Sequence, residues 1–431
     1  MSAENTDSIP RARIGTDKRP PFCLTICGRS SLRPFSYEGF FMITLTKTEA
    51  ARFLLLRQGL MGPRSRGGKA AALERVRDLG SVQFDPINVF GRSADLTLLA
   101  RIEGYRPDWL RQLLYEDRRL CDYYDKCMCV FPAEDLPYFS RTRRMFEEHP
   151  RGREALQALR PAVLALASEK EYVTSADLDD GARLTWSWGR RASLANAAAE
   201  RLFHEGKLVI HHKTGNQRAY SLPETVGLAE HLTAPDPNIT EEQYHDWAIL
   251  RRVGAVGLLP DRGSDAFLSI IDLDASKRHG AFARLTERGA LLPVEVEGKT
   301  YYLAERHKTL LEQARTARPG TRCELLAPLD NLLWDRRLIR ELFGFDYKWE
   351  IYTPAKDRKY GYYVVPVLYG ERFVGRAESA ADRAGGALLL KSFWPEEGFR
   401  ASGGFRRALE GTLSRLARMN GLREVRIECS I

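Results

Sequence analysis

Cysteine is scarce, with seven in 431 residues. Three of them crowd into "CDYYDKCMC" as Cys121, Cys127 and Cys129, but no CxxC pair occurs and no histidine lies nearby. That spacing does not build a zinc site, and so few scattered thiols do not staple a chain of this length. Reduced, partly buried thiols are the expectation. His211 and His212 stand side by side on a predicted strand, so alternation sends them to opposite faces, where they cannot hold one metal together. Walker A, a GxGxxG after a strand and HExxH are all missing. Neither a cofactor nor a metal is expected. No apolar run reaches about 18 residues, so no helix is expected to cross a membrane. Residues 1–41 are polar, proline-rich and basic, and lack the apolar centre and cleavage site of a secretory signal. They read as a disordered tail, or as residues preceding a true start at Met42.

What is present is a globular composition, 44% hydrophobic and 29% charged, in a chain long enough for about two to four domains. Lysine and arginine number 66 against 57 acidic residues, a net charge of +9. That excess favours a polyanionic partner without specifying one.

A local grammar recurs three times. "SLANAAAERLFHEG" is a helix with Ser193 as its cap and Gly206 as its left-handed stop; "KLVIHH", "KTGN" and "QRAYSL" then read as strand, turn and strand. "SKRHGAFARLTERG" repeats this up to Gly289, with "ALLPVEV" and "TYYLAE" around "EGK". "KAAALERVRDLG" followed by "SVQFD" begins the same way, but Asp85-Pro86-Ile87-Asn88 then redirects the chain. Upstream helices, such as "TKTEAARFLLLRQG" and "TEEQYHDWAILRRVG", accompany the units. A helix ending in glycine and feeding a hairpin is the sequence form of a winged helix. Past residue 320, "WEIYTP", "GYYVVPVLYG", "RFVGRAES" and "ALLLKSFW" read as strands of a small sheet or barrel, closed by a helix in "FRRALEGTLSRLARMNG" and a strand in "REVRIE". The expected architecture is α+β. After residues 1–41 come three winged-helix units, 42–145, 146–235 and 236–320, and a β-rich domain, 321–431.

The first unit carries a polar pair on what reads as a short strand, Gln83 and Asp85 in "GSVQFDPINVFGRS". Two apart on a strand, they share a face, while Val82 and Phe84 turn to the core. Pro86 restricts Asp85 to extended geometry. The same residues also suit an ordinary turn, with Asp85 capping backbone amides.

"VQFDPINVFGRS", "LAPLDNLLWDRR" and the hairpin-rich middle resemble the AlkZ/YcaQ-type DNA glycosylases over about residues 42–431. That resemblance implies tandem winged helices and a β-barrel around a DNA-sized channel, and cleavage of the N-glycosidic bond of alkylated purines, including crosslinked N7-alkylguanines. Gln83 and Asp85 match the Gln-x-Asp branch of the family's catalytic motif. The sequence departs from commoner members at "ADLTLLAR", with Asp95, and at "YYDKCM", with Asp125 and Lys126.

The implied chemistry suits the residues. N7-alkylation leaves guanine cationic and a good leaving group. A carboxylate at Asp85 can then stabilise the oxocarbenium-like sugar and accept a proton from water, while Gln83 positions that water or the sugar. No lysine lies in the motif, which points to a monofunctional enzyme. Asn88, Arg92, Arg190, Arg191, Arg336 and Arg337 are candidate DNA contacts. Trp186 and Trp188 could stack a base or fill a core; Asp330, Asn331 and Trp334 could shape the channel or cap a helix. The expected partner is duplex DNA carrying alkylated bases. A monomer without an obligate protein partner, at the nucleoid in the cytoplasm, is expected to suffice. A winged-helix transcriptional regulator, or a protein-binding scaffold, would use the same wings without needing Gln83 and Asp85.

Overall fold

Helix starts follow the side-chain caps. Thr46 and Glu49 form a reciprocal capping box at Lys47–Arg57, and Thr240 with Gln243 does the same at Glu241–Val256. Ser193 accepts from the Asn196 amide at the start of Leu194–His204, and Asp274 caps Ala275–Glu287. The computed structural model describes residues 42–149, 156–178, 181, 183–185 and 191–431. The expectations for residues 1–41, Trp186, Trp188 and Arg190 lie outside these described residues, and of Arg191 only the backbone is described.

The second and third segments form the expected helix–hairpin pairs. Leu194–His204 leads into the antiparallel hairpin Val209–Thr214/Gln217–Ser221, and Ala275–Glu287 into Leu291–Val296/Lys299–Ala304. In the latter turn Glu297 and Gly298 have φ of 49° and 73°, the two positive values that match the twist of paired strands. The first segment differs. Gly68–Leu79 is followed by a strand of two residues, Val82–Gln83, which pairs with Met128–Pro132; that strand pairs in turn with Leu120–Tyr124.

Long-range pairing ties the segments together. Ile43–Leu45 adds in parallel to Leu291–Val296, so the first described strand completes the sheet of the third segment. Phe53, Leu54 and Leu55 accordingly share one core with Ile249, Phe282, Leu332 and Leu338. A second core joins Leu79, Val82 and Leu96 to Val365, Leu388 and Leu413 of the C-terminal sheet. A third joins Tyr123 and Phe131 to Leu202 and Tyr220.

The C-terminal sheet curls as a half-barrel. Cys323–Leu325, Val364–Tyr369, Arg372–Asp382 and Ala387–Pro395 form an antiparallel meander; Glu424–Ile427 joins in parallel after the crossover helix Gly403–Met419. The expected strand in "WEIYTP" is instead irregular. Glu350 there accepts from the amides of Lys359, Tyr360 and Gly361, so its carboxylate organises a loop. A second correction concerns the paired histidines. A bulge between Ile210 and His212 breaks the alternation, and the two Nδ1 atoms lie 2.8 Å apart. Among the described residues no cluster of three or more metal-binding side chains occurs. Cys121 and Cys129 are buried thiols. No described helix is long and apolar enough to cross a membrane.

Candidate active site

The strand that carries the polar pair stops early. Its ladder ends at Gln83, with one further bond from the Phe84 amide to Met128 O. Asp85 lies beyond it in a turn, where its Oδ1 accepts from the Ile87 amide at 2.8 Å. The shared strand face expected for Gln83 and Asp85 is therefore replaced by a strand residue followed by a turn residue. Pro86, which cannot donate, and the Asx-type bond end the ladder. Val82 enters the core, but Phe84 is only half-buried, beneath the Lys213 ammonium 3.9 Å from its ring centre.

Several distant elements hold the loop that follows. The Ala381 amide donates to Val89 O and Asn420 Nδ2 to Phe90 O, while Asn331 Nδ2 holds Ser81 O just before the strand, at 2.9–3.0 Å. Arg92 Nη2 donates to Gly215 O at 2.7 Å, so this candidate DNA contact also ties the loop to the second hairpin. Gly91, at φ 146°, leaves no room for a side chain. A Cβ there would meet Leu96 Cδ2 and Met419 Cε at 2.8 Å.

Asp85 is half-buried, and no cation pairs with it among the described residues. Burial pushes its carboxyl above the ordinary aspartate range, and the Ile87 amide offsets this only in part. Tyr352, 74% exposed, lies close enough to feel the Asp85 charge, and Tyr362, 45% exposed, lies near Tyr352. Burial and then the Asp85 charge raise the Tyr352 phenol, and the same two causes raise Tyr363. Phe90 packs edge-on to Tyr363, which contacts Trp349, which contacts Tyr352. Aromatic rings thus run from the motif to an exposed tyrosine.

On the other side of the motif, Gln83 is buried, and its Oε1 accepts from Lys126 Nζ at 3.3 Å. Lys126 sits at the tip of the Leu120–Tyr124/Met128–Pro132 hairpin. Beside it, Asp125 is bound by Arg251 and Arg252; although burial works the other way, the two guanidiniums hold its carboxyl well below the usual range. The sequence showed Lys126 only as a departure from the family pattern. Tyr352 was hidden in a stretch that reads as a strand, and the aromatic density there was its one signal.

The remaining expected residues are dispersed. Asn88 is exposed on the loop. Arg337 is exposed and lies 3.4 Å from Glu341, and Arg336 stacks over Tyr347. Asp330 is fully buried and grips the Arg101 guanidinium with both oxygens at 2.7 Å, while capping Asn331–Leu333. Trp334 is buried and donates to Leu329 O. Asp330 and Trp334 therefore serve as cap and core. Asp95, half-buried, accepts from Tyr105 at 2.8 Å, and burial raises its carboxyl.

The sequence profile described as DNA glycosylase AlkZ-like matches residues 76–419. Among solved structures, that of the Streptomyces sahachiroi DNA glycosylase AlkZ is similar at TM-score 0.60 and 18% identity, covering 89% of this chain and 99% of that one. At such identity the structural likeness concerns the fold.

Proposed function

The chain belongs to the AlkZ-like family of DNA glycosylases, and on that premise we propose that it hydrolyses the N-glycosidic bond of alkylated purines of the N7-alkylguanine type. Asp85 is the carboxylate that faces the developing oxocarbenium ion and takes a proton from water, and Gln83 helps to position the reactants. The observation that carries this reading is the state of Asp85: half-buried, raised by burial, and without a cation among the described residues in a chain of net charge +9. An unpaired carboxylate is poorly solvated at rest and interacts most strongly when positive charge develops on the sugar. The exposed rings of Tyr352 and Tyr362 offer faces on which a displaced, cationic base can stack.

The helix–hairpin pairs act as winged helices and, with the half-barrel, surround the duplex as one subunit. Asn88, Arg92, Arg190, Arg191, Arg336 and Arg337 contribute contacts to its backbone. The reaction is hydrolysis without strand cleavage, and interstrand crosslinks through N7 are within the same chemistry. A duplex with a single N7-methylguanine tests the reading. Abasic sites that break only after heat and alkali support it. Breaks without alkali overturn the monofunctional mechanism, and intact glycosidic bonds overturn the substrate class.

A further inference from the structure

Lys126 is a buried ammonium, 6% exposed, and no carboxylate lies within ion-pair distance of it among the described residues. Taking an ammonium out of water without a counter-ion is costly, so its retention calls for a task. Its surroundings fix it in place. Asp125, the preceding residue, is gripped by Arg251 and Arg252; Ser269 Oγ donates to Lys126 O at 2.8 Å; and the Trp334 ring centre lies 5.4 Å from Nζ. The side-chain acceptor that the ammonium reaches is Gln83 Oε1. An ammonium donates and never accepts, so its partner on the carboxamide must be the oxygen. The flipped amide would set NH2 against NH3+. The Gln83 backbone is meanwhile paired opposite Cys129, so both ends of the side chain are set. Its NH2 group has no hydrogen-bond partner among the described residues and, unlike several buried nitrogens, is not sealed from solvent.

We propose that Lys126 is a positioning residue that turns the Gln83 carboxamide oxygen inward and its NH2 group toward the DNA, so that Gln83 acts in excision as a hydrogen-bond donor. The inference rests on the reading of Gln83 and Asp85 as the excision site. It removes the ambiguity of an amide that can donate or accept. A water between the two residues gives a proton to Asp85, accepts from Gln83, and uses its other lone pair to bond the sugar carbon as the glycosidic bond breaks, its electron pair leaving with the N7-alkylated base, which departs neutral.

The test measures single-turnover release of N7-methylguanine from a duplex, with binding of the same duplex measured separately. Lys126→Met should slow release by about 10- to 100-fold, the scale of a misplaced reacting group, with unchanged affinity. Because Lys126 acts through Gln83, Lys126→Met should add nothing on a Gln83→Ala background. Release by Lys126→Met at the normal rate, or a full additional loss on the Gln83→Ala background, overturns the proposal. Gln83→Glu gives an answer even if Lys126→Met fails to fold, since a carboxylate pairs with the ammonium but has no NH2. It should fold and bind, yet release base at no more than about a hundredth of the normal rate, as for a lost preorganised donor. A normal rate from Gln83→Glu makes Gln83 an acceptor and overturns the proposal. An Asp85→Asn protein of normal rate would instead remove the underlying reading of the site.

Discussion

Asp85, two residues beyond Gln83, and Lys126, bonded to the Gln83 side chain, are opposite charges, and neither has a counter-ion among the described residues. The Asp85 carboxyl titrates higher in the folded protein than in the unfolded chain, so the folded state binds more protons across that window. Its ionised form is therefore a burden on stability, which falls as pH rises through the window. Asp85→Asn should excise base at least about a hundredfold more slowly, while melting at an equal or higher temperature at neutral pH. A melting temperature well below the wild type would mean that the carboxylate holds the fold together. In the wild type, excision should fail on the acid side with a midpoint above the ordinary aspartate value of about 3.9. Asp85 was legible in the sequence as a residue type beside Gln83. Its turn conformation was not, because the pattern of alternation runs on through Phe84 while the ladder stops.

The loop after Gln83 depends on elements far away in sequence. Gly91→Ala should destabilise the protein by about 1–3 kcal/mol, since the added methyl must displace Leu96 and Met419 as well as adopt a positive φ. Thermal unfolding checks this, and an unchanged melting temperature would show that the two side chains move aside freely. Tyr352→Ala should leave stability unchanged but weaken binding to lesion-containing duplex by about 1–3 kcal/mol, the scale of one base–aromatic stack. Equal affinities for Tyr352→Ala and wild type would place the base elsewhere. Helices and the two complete hairpins were readable because caps, glycine stops and turn residues act within a few positions. The partner of Val82–Gln83 was not, because Met128–Pro132 is chosen by packing across more than forty residues. "WEIYTP" misled for a related reason: its aromatic residues suit a strand, but Glu350 finds three amides in the same loop.

At the scale of the molecule, the buried pair Arg101–Asp330 links the first segment to the stretch "LAPLDNLLWDRR", and Arg101 also reaches Gln58 Oε1 and Thr97 O. Replacing one partner leaves the other charge buried, so Asp330→Asn should cost about 3–5 kcal/mol, read as a lower midpoint in denaturant. Binding to duplex should weaken steeply with salt and show little sequence preference, since backbone contacts carry no base information. Selection from random duplexes that returns a sharp consensus, retained in Asp85→Asn, would favour a regulator instead.

The grip of Asn420 on Phe90 O has a consequence for synthesis on the ribosome. The segment bearing Asp85 emerges early, but the residue that fastens its loop is made more than three hundred positions later. At about 5–20 residues per second, the nascent chain carries this loop without its bond from Asn420 for roughly 20 to 70 seconds. A chain whose translation stalls before residue 420 is therefore released with Asp85 present and its loop held only by the earlier bonds, those of Ala381 to Val89 O and of Arg92 to Gly215 O.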